Sequence, residues 1–182
     1  MINNILEGLE KDRMSVFNEL ETLPSKLLNK KSNKHWSINE HLYHTWLAET
    51  STEKYIRKKS NYPDFIKKMS PLVYLRAKAL RIFLKLGVKV KAPKSTTTFP
   101  DKIDIKNLNK EWSNSRKSFQ KLMVDLKEKN LDHKAIFRHP LMGRINLKLT
   151  LYFYNFHFKH HLKAINTLKK KIKWNGTLKT EK

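Results

Sequence analysis

A chain of 182 residues is long enough for one domain with a proper core, burying roughly 70% of the surface its extended form would expose. It contains no cysteine, which excludes a disulfide, a thiolate metal site and a cysteine nucleophile of its own. The formal net charge of +23 would suit nucleic acid or an anionic surface, yet only seven of the 39 basic residues are Arg, the side chain that bidentate phosphate and base recognition favours.

The lysines are spread over almost every segment, so the charge reads as a general Lys bias with weak attraction to polyanions at low salt, and specific nucleic-acid binding is not expected. The first twenty residues mix charged and apolar side chains, and no segment approaches about 18 consecutive apolar residues. Neither a signal peptide nor a membrane anchor or partner is expected, and the cytoplasm is the default compartment.

Ile5, Leu6, Leu9, Val16, Phe17, Leu20 and Leu23 recur at threes and fours, predicting a first helix over 2–22 that ends before Pro24. A short helical turn through Leu27 and Leu28 follows. Ser37-Ile38-Asn39-Glu40 is a capping box that opens a second long helix, running to about Lys58. One face of that helix groups Ile38, His41, Thr45, Ala48, Thr52 and Tyr55, with His44 about 60° aside and Leu42 and Trp46 on another flank. A face so poor in aliphatics suits a helix lining a polar cavity, although Leu42 and Trp46 as core contacts with both histidines on the surface would fit as well.

Ser70 as N-cap with Pro71 at the first helical position predicts a third helix, with Leu72, Leu75, Ala79, Ile82, Phe83 and Leu86 as its apolar stripe and Gly87 as its C-terminal cap. From Val88 to Ile103 periodicity disappears. A loop of about 15 residues in a small domain is usually functional or disordered, and Pro93, Phe99 and Pro100 favour one that packs over the helices. A fourth helix spans about 107–129, with Leu108, Trp112, Phe119, Leu122, Met123 and Leu126 as its stripe. The connection 130–145 holds Phe137, His139-Pro140 and Gly143 and is read as ordered; no segment alternates as a half-buried strand would.

Asn146 caps the last helix. Its stripe runs Leu147, Leu151, Tyr154, Phe158, Ile165, Leu168 and Ile172, and three of the chain's eight histidines fall within five residues on this helix. Helical phase sets His161 about 20° and His157 about 60° from the stripe's centre, with His160 about 120° away toward solvent. Two inward imidazoles four residues apart suit a shared metal ion, or two core histidines each bonded locally. The helix alone does not decide between these. The elements predict an all-α fold: an antiparallel four-helix bundle with a short additional helix and a long loop after the third helix, occupying 1–174, with 175–182 as a frayed basic tail.

Three motifs in this order resemble the DinB-like superfamily of bacterial helical bundles, unrelated to the DNA polymerase of that name. They are Trp36-Ser37-Ile38-Asn39-Glu40-His41-Leu42-Tyr43-His44, then Phe137-Arg138-His139-Pro140-Leu141-Met142-Gly143, and His157-Phe158-Lys159-His160-His161-Leu162. Ala92-Pro93, Pro100 and Glu111-Trp112 have the look of one branch of the family. The resemblance spans nearly the whole chain and implies a divalent metal, nickel or zinc, held by His44, His157 and His161 with an open coordination position. It implies a small-molecule substrate and an enzyme of the hydrolase or thiol-transferase kind, the latter with a low-molecular-weight thiol such as bacillithiol or mycothiol that this cysteine-free chain would take from solution. A homodimer is compatible with it. The alternatives are a non-enzymatic basic bundle binding nucleic acid or a partner protein, and a family member without turnover. His41 and His160 are extra relative to the family pattern and complicate the ligand assignment. His139 is read as a structural loop histidine that caps or braces the last helix rather than a metal ligand, and His35 and His133 carry no assigned function.

Overall fold

The structure is a computed structural model that describes residues 2–31, 35–88, 90 and 92–180, with the side chains of 2, 3 and 172–180 outside that description. It contains α1 (Ile2–Leu20), a single turn α2 (Ser25–Leu28), α3 (Ile38–Ser60), α4 (Leu72–Lys85), α5 (Ile105–Glu128), a hairpin of β1 (Phe137–His139) and β2 (Gly143–Ile145), and α6 (Leu147–Thr180). Helices α1, α3, α5 and α6 form the bundle: α6 packs against α1 and α3, and α5 packs against the same two. Trp112 of α5 is fully buried at the centre, with its ring edge-on between Phe17 and Phe158 at 5.9 and 5.8 Å.

Local signals set most helix ends. The Ser37 hydroxyl accepts from Glu40 N at 3.1 Å while the Glu40 carboxylate accepts from Ser37 N at 2.9 Å, so the capping box closes as its sequence predicts. Asp104 Oδ1 accepts from Asn107 N and starts α5 two residues before the expected position; Asn146 Oδ1 caps α6 through Leu149 N. Gly87, at φ +80°, ends α4 in the left-handed conformation that glycine adopts without strain. The last helix runs to Thr180, so the expected tail, 175–182, falls on residues whose side chains, like that of Ile172 in the predicted stripe, lie outside the description.

The structure departs from the sequence reading in three places. The 130–145 connection contains a two-stranded antiparallel hairpin, Phe137 opposite Ile145 and His139 opposite Gly143, where no strand was expected. Strands of three residues are too short for alternation to register, and the turn depends on Gly143 at φ +87°. Helix α4 begins at Leu72 without a side-chain cap, so Ser70 contributes only its carbonyl, to Val73 N. Most consequentially, α4 lies outside the bundle against α6 and β2, and its apolar stripe faces away from the protein: Val73, Leu80 and Leu84 are buried, whereas Leu72, Leu75, Ile82, Phe83 and Leu86 of the stripe are exposed. Among the described residues no helix is long and apolar enough to cross a membrane.

Candidate metal centre

At one end of the bundle α3 and α6 bring three imidazoles together. His157 Nε2 lies 3.2 Å from His44 Nε2 and 3.1 Å from His161 Nε2, and the three ligand atoms all lie within 4.8 Å of one another. Metal–nitrogen bonds of about 2.1 Å at the tetrahedral angle separate ligand nitrogens by about 3.4 Å, close to the two spacings that His157 makes. Three ring nitrogens meeting at such distances cannot all carry protons: each contact is an N–H···N hydrogen bond set by the tautomers, or a pair of lone pairs turned to a shared ion.

The opposite nitrogens of two of these rings are engaged in ways that suit ligation. His44 Nδ1 is 2.8 Å from the Thr96 carbonyl, which can only accept, so Nδ1 carries the proton and Nε2 the lone pair. His161 Nδ1 is 2.9 Å from His41 Nδ1; one of the two donates, and donation by His161 frees its Nε2 in the same way. Trp36 walls the cluster, its ring nearly parallel to His161 at 5.9 Å and 4.8 Å from His44, and Phe99 of the long loop closes edge-on over Trp36 at 5.2 Å. His157 stacks on Phe153 at 4.9 Å.

Burial pushes the pKa of all three imidazoles down, His157 and His161 well below the ordinary value, with neighbouring histidines reinforcing the shift. For His44 the bond to the Thr96 carbonyl opposes the effect without cancelling it. Near neutrality the cluster is therefore three neutral imidazoles, the protonation state a metal requires. This donor set fits a divalent ion of the nickel or zinc kind, for which imidazole is a favoured ligand, and lacks the carboxylates that calcium or magnesium would need.

The cluster lies on the wall of a cavity of about 620 Å³. Helix α3 lines it with His41, His44, Ala48, Ser51, Thr52 and Tyr55; α4 adds Leu80 and Leu84, the long loop Ala92, Pro93 and Thr96, the hairpin Phe137 to Leu141, and α6 Phe153, His157, His160, His161 and Ala164. No Asp or Glu is among these described lining residues, and Arg138 is the one Lys or Arg. The mixed face of α3 is thus a cavity face, while Leu42, Glu49, Glu53 and Ile56 turn into the bundle.

All three histidines implied by the resemblance meet in one place. His41 lies behind the cluster, on the far nitrogen of His161. His160, expected toward solvent, is half-buried: its Nδ1 reaches the Leu84 carbonyl of α4 at 3.2 Å and its ring borders the cavity, because α4 covers the flank that helical phase leaves open. His139 accepts from Leu141 N and Met142 N at 3.1 and 3.2 Å, bracing the hairpin turn, and its ring packs edge-on against Phe153 of α6 at 4.4 Å. His35 also borders the cavity, and His133 remains on the surface beside Asp132.

Two features escaped sequence reasoning. A backbone carbonyl, that of Thr96, leaves no mark in residue identity. Beneath the cluster, Glu49 accepts from Trp112 Nε1 at 2.8 Å and from Arg116 Nε and Nη2 at 3.1 and 3.0 Å, and the Tyr154 hydroxyl donates to the Glu49 carbonyl at 3.1 Å. Its signal was present: Arg116 sits within the stripe of α5, four residues after Trp112 and three before Phe119.

Comparison with known proteins agrees with this architecture. The chain is 26% identical over 161 residues to the uncharacterized protein YuaE of Bacillus subtilis (strain 168), covering 88% of this chain and 94% of that one. Its fold is similar to that of YfiT from Bacillus subtilis, described as a probable metal-dependent hydrolase with an unusual four-helix bundle topology, at a TM-score of 0.62 and 15% identity, over 95% of this chain and 88% of the other. Residues 9–165, which include all three histidines of the cluster, match the DinB superfamily, and the chain belongs to that family.

Proposed function

We propose that this protein is a metal-dependent enzyme acting on a small molecule that enters the 620 Å³ cavity, with His44, His157 and His161 as the metal ligands. The observation that carries the reading is the convergence of three ring nitrogens on the wall of that cavity, one of them held in the ligating tautomer by the Thr96 carbonyl. When bound, a nickel or zinc ion would supply a Lewis acid and lower the pKa of a water or thiol that it binds.

The chain's own residues supply the rest. Trp36 and Phe153 hold the imidazole planes, and Phe99 shields the cluster from solvent on the loop side. With no described carboxylate lining the cavity, proton acceptance falls to imidazole: His160, donating through Nδ1 to the Leu84 carbonyl, keeps its Nε2 lone pair available. The apolar stretch formed by Leu80, Leu84, Pro140, Leu141 and Phe153 suits the body of an uncharged substrate. The description of YfiT favours hydrolysis. Transfer of a low-molecular-weight thiol uses the same site and is separated by adding the thiol.

The test is metal content and turnover together. Untagged protein loaded with nickel or zinc should hold about one equivalent, and His44→Ala, His157→Ala and His161→Ala should each abolish it. Hydrolysis of small esters and amides, assayed with and without added thiol, then distinguishes the two chemistries. Protein that stays metal-free under both supplements would sink the reading.

A further inference from the structure

Helix α4 carries apolar residues on two opposite faces. At about 100° per residue, Val73, Ala77, Leu80 and Leu84 fall within an arc of about 60°, and this is the face turned to the protein. Leu72, Leu75, Ala79, Ile82, Phe83 and Leu86 fall within a second arc of about 100°, roughly opposite. In that second arc Leu72, Leu75, Ile82, Phe83 and Leu86 are 45–73% exposed. An amphipathic helix needs one apolar face, and a second one left in water points to a further apolar phase.

The charges around this stripe identify its complement. Arg76 borders one edge, and Lys78, Lys85 and Arg81 follow from the other, while α4 contains no acidic residue. Across 62–88 there are six Lys and Arg and one Asp, in a chain of net charge +23. Exposed Tyr62 and Phe65 and the exposed Lys67 and Lys68 continue the same composition just before the helix. A second copy seated on the stripe would set these basic flanks against one another. An anionic lipid headgroup layer over an acyl phase complements both features: the cations meet lipid phosphates, and the leucines and Phe83 enter the acyl boundary.

We propose that the outer face of α4 docks this protein peripherally on anionic phospholipid membranes, without spanning them. The opposite face of the same helix lines the cavity with Leu80 and Leu84, so docking sets the cavity beside the bilayer. The proposal is independent of metal binding.

Co-sedimentation with vesicles tests it. Full-length protein should bind vesicles of phosphatidylcholine and phosphatidylglycerol (7:3) and leave pure phosphatidylcholine vesicles largely unbound. A protein of this charge would adhere to anionic vesicles through lysines anywhere on its surface, so the deciding variant leaves charge untouched. Leu75→Ser/Phe83→Ser/Leu86→Ser alters only exposed side chains and should weaken binding at least about tenfold, with far-UV circular dichroism unchanged. Lys78→Gln/Arg81→Gln/Lys85→Gln should weaken it as well. Binding unaffected by the apolar triple variant overturns the proposal in favour of diffuse electrostatics. A dimer in solution that this variant converts to monomer overturns it in favour of a second copy on the stripe. Equal binding to neutral and anionic vesicles overturns the role of the basic flanks.

Discussion

His41 Nδ1 lies 2.9 Å from His161 Nδ1, on the side of the His161 ring that faces away from His44 and His157. One proton serves that contact, and when His161 donates it the Nε2 lone pair is presented to the cluster. Burial and the neighbouring His44 push the His41 pKa down to about 4, so near neutrality it is uncharged and its Nδ1 can accept that proton. Partners of this kind set the orientation and tautomer of a ligating histidine, and their loss typically costs about 10–100-fold in metal affinity. His41→Ala should show a loss in that range in chelator competition, with helix content preserved. Unchanged affinity would reduce His41 to a packing role.

Metal binding to the folded state alone should raise thermal stability by mass action. At free nickel or zinc about 100-fold above the dissociation constant the gain is about 2.7 kcal/mol, which for a chain of this size corresponds to roughly 5–10 °C in Tm. The shift should vanish in His157→Ala, whose Nε2 contacts both other ligands. A shift that persists in the variant would place the metal elsewhere.

The Glu49–Arg116 pair, each side chain about 5% exposed, joins α3 to α5 directly beneath the site. Removing one partner leaves a buried charge without compensation, at a cost of about 3–5 kcal/mol. Urea denaturation of Arg116→Met should show a loss of this order, and Glu49→Gln/Arg116→Met should recover part of it. Additive losses in the double variant would mean that the two groups do not act as a pair.

Acid should destabilise the fold through its buried histidines. Burial holds His139 at about 4, against about 6.5 for a free imidazole. Above 6.5 both folded and unfolded chains keep it neutral, and its contribution is fully present. As pH falls from 6.5 to 4 the unfolded chain takes the proton first, so stability declines by roughly 3 kcal/mol, levelling once the folded form protonates too. Protonated Nδ1 can no longer accept from Leu141 N and Met142 N, so the hairpin turn should loosen first. Urea midpoints between pH 8 and 4 should fall less steeply in His139→Ala than in the parent, and equal slopes would refute the assignment.

What the sequence by itself determined about this protein is whatever depends on neighbours within a turn or two of helix. The Ser37–Glu40 box, the Gly87 cap, the apolar stripe of α5 and the four-residue spacing of His157 and His161 are all short-range geometry, and each is present in the fold. Helical phase reports angles between residues on one helix, but not which direction faces the rest of the molecule. Only the tertiary structure decided which apolar face of α4 turns inward, that α4 covers His160, and that the Thr96 carbonyl meets His44 across 52 residues of chain. The Glu49–Arg116 pair, 67 residues apart, belongs with these, since a buried charge is stable only where a distant partner arrives to meet it. The three histidines share both origins: two were aligned by the period of one helix, and the third joined them only when α3 packed against α6.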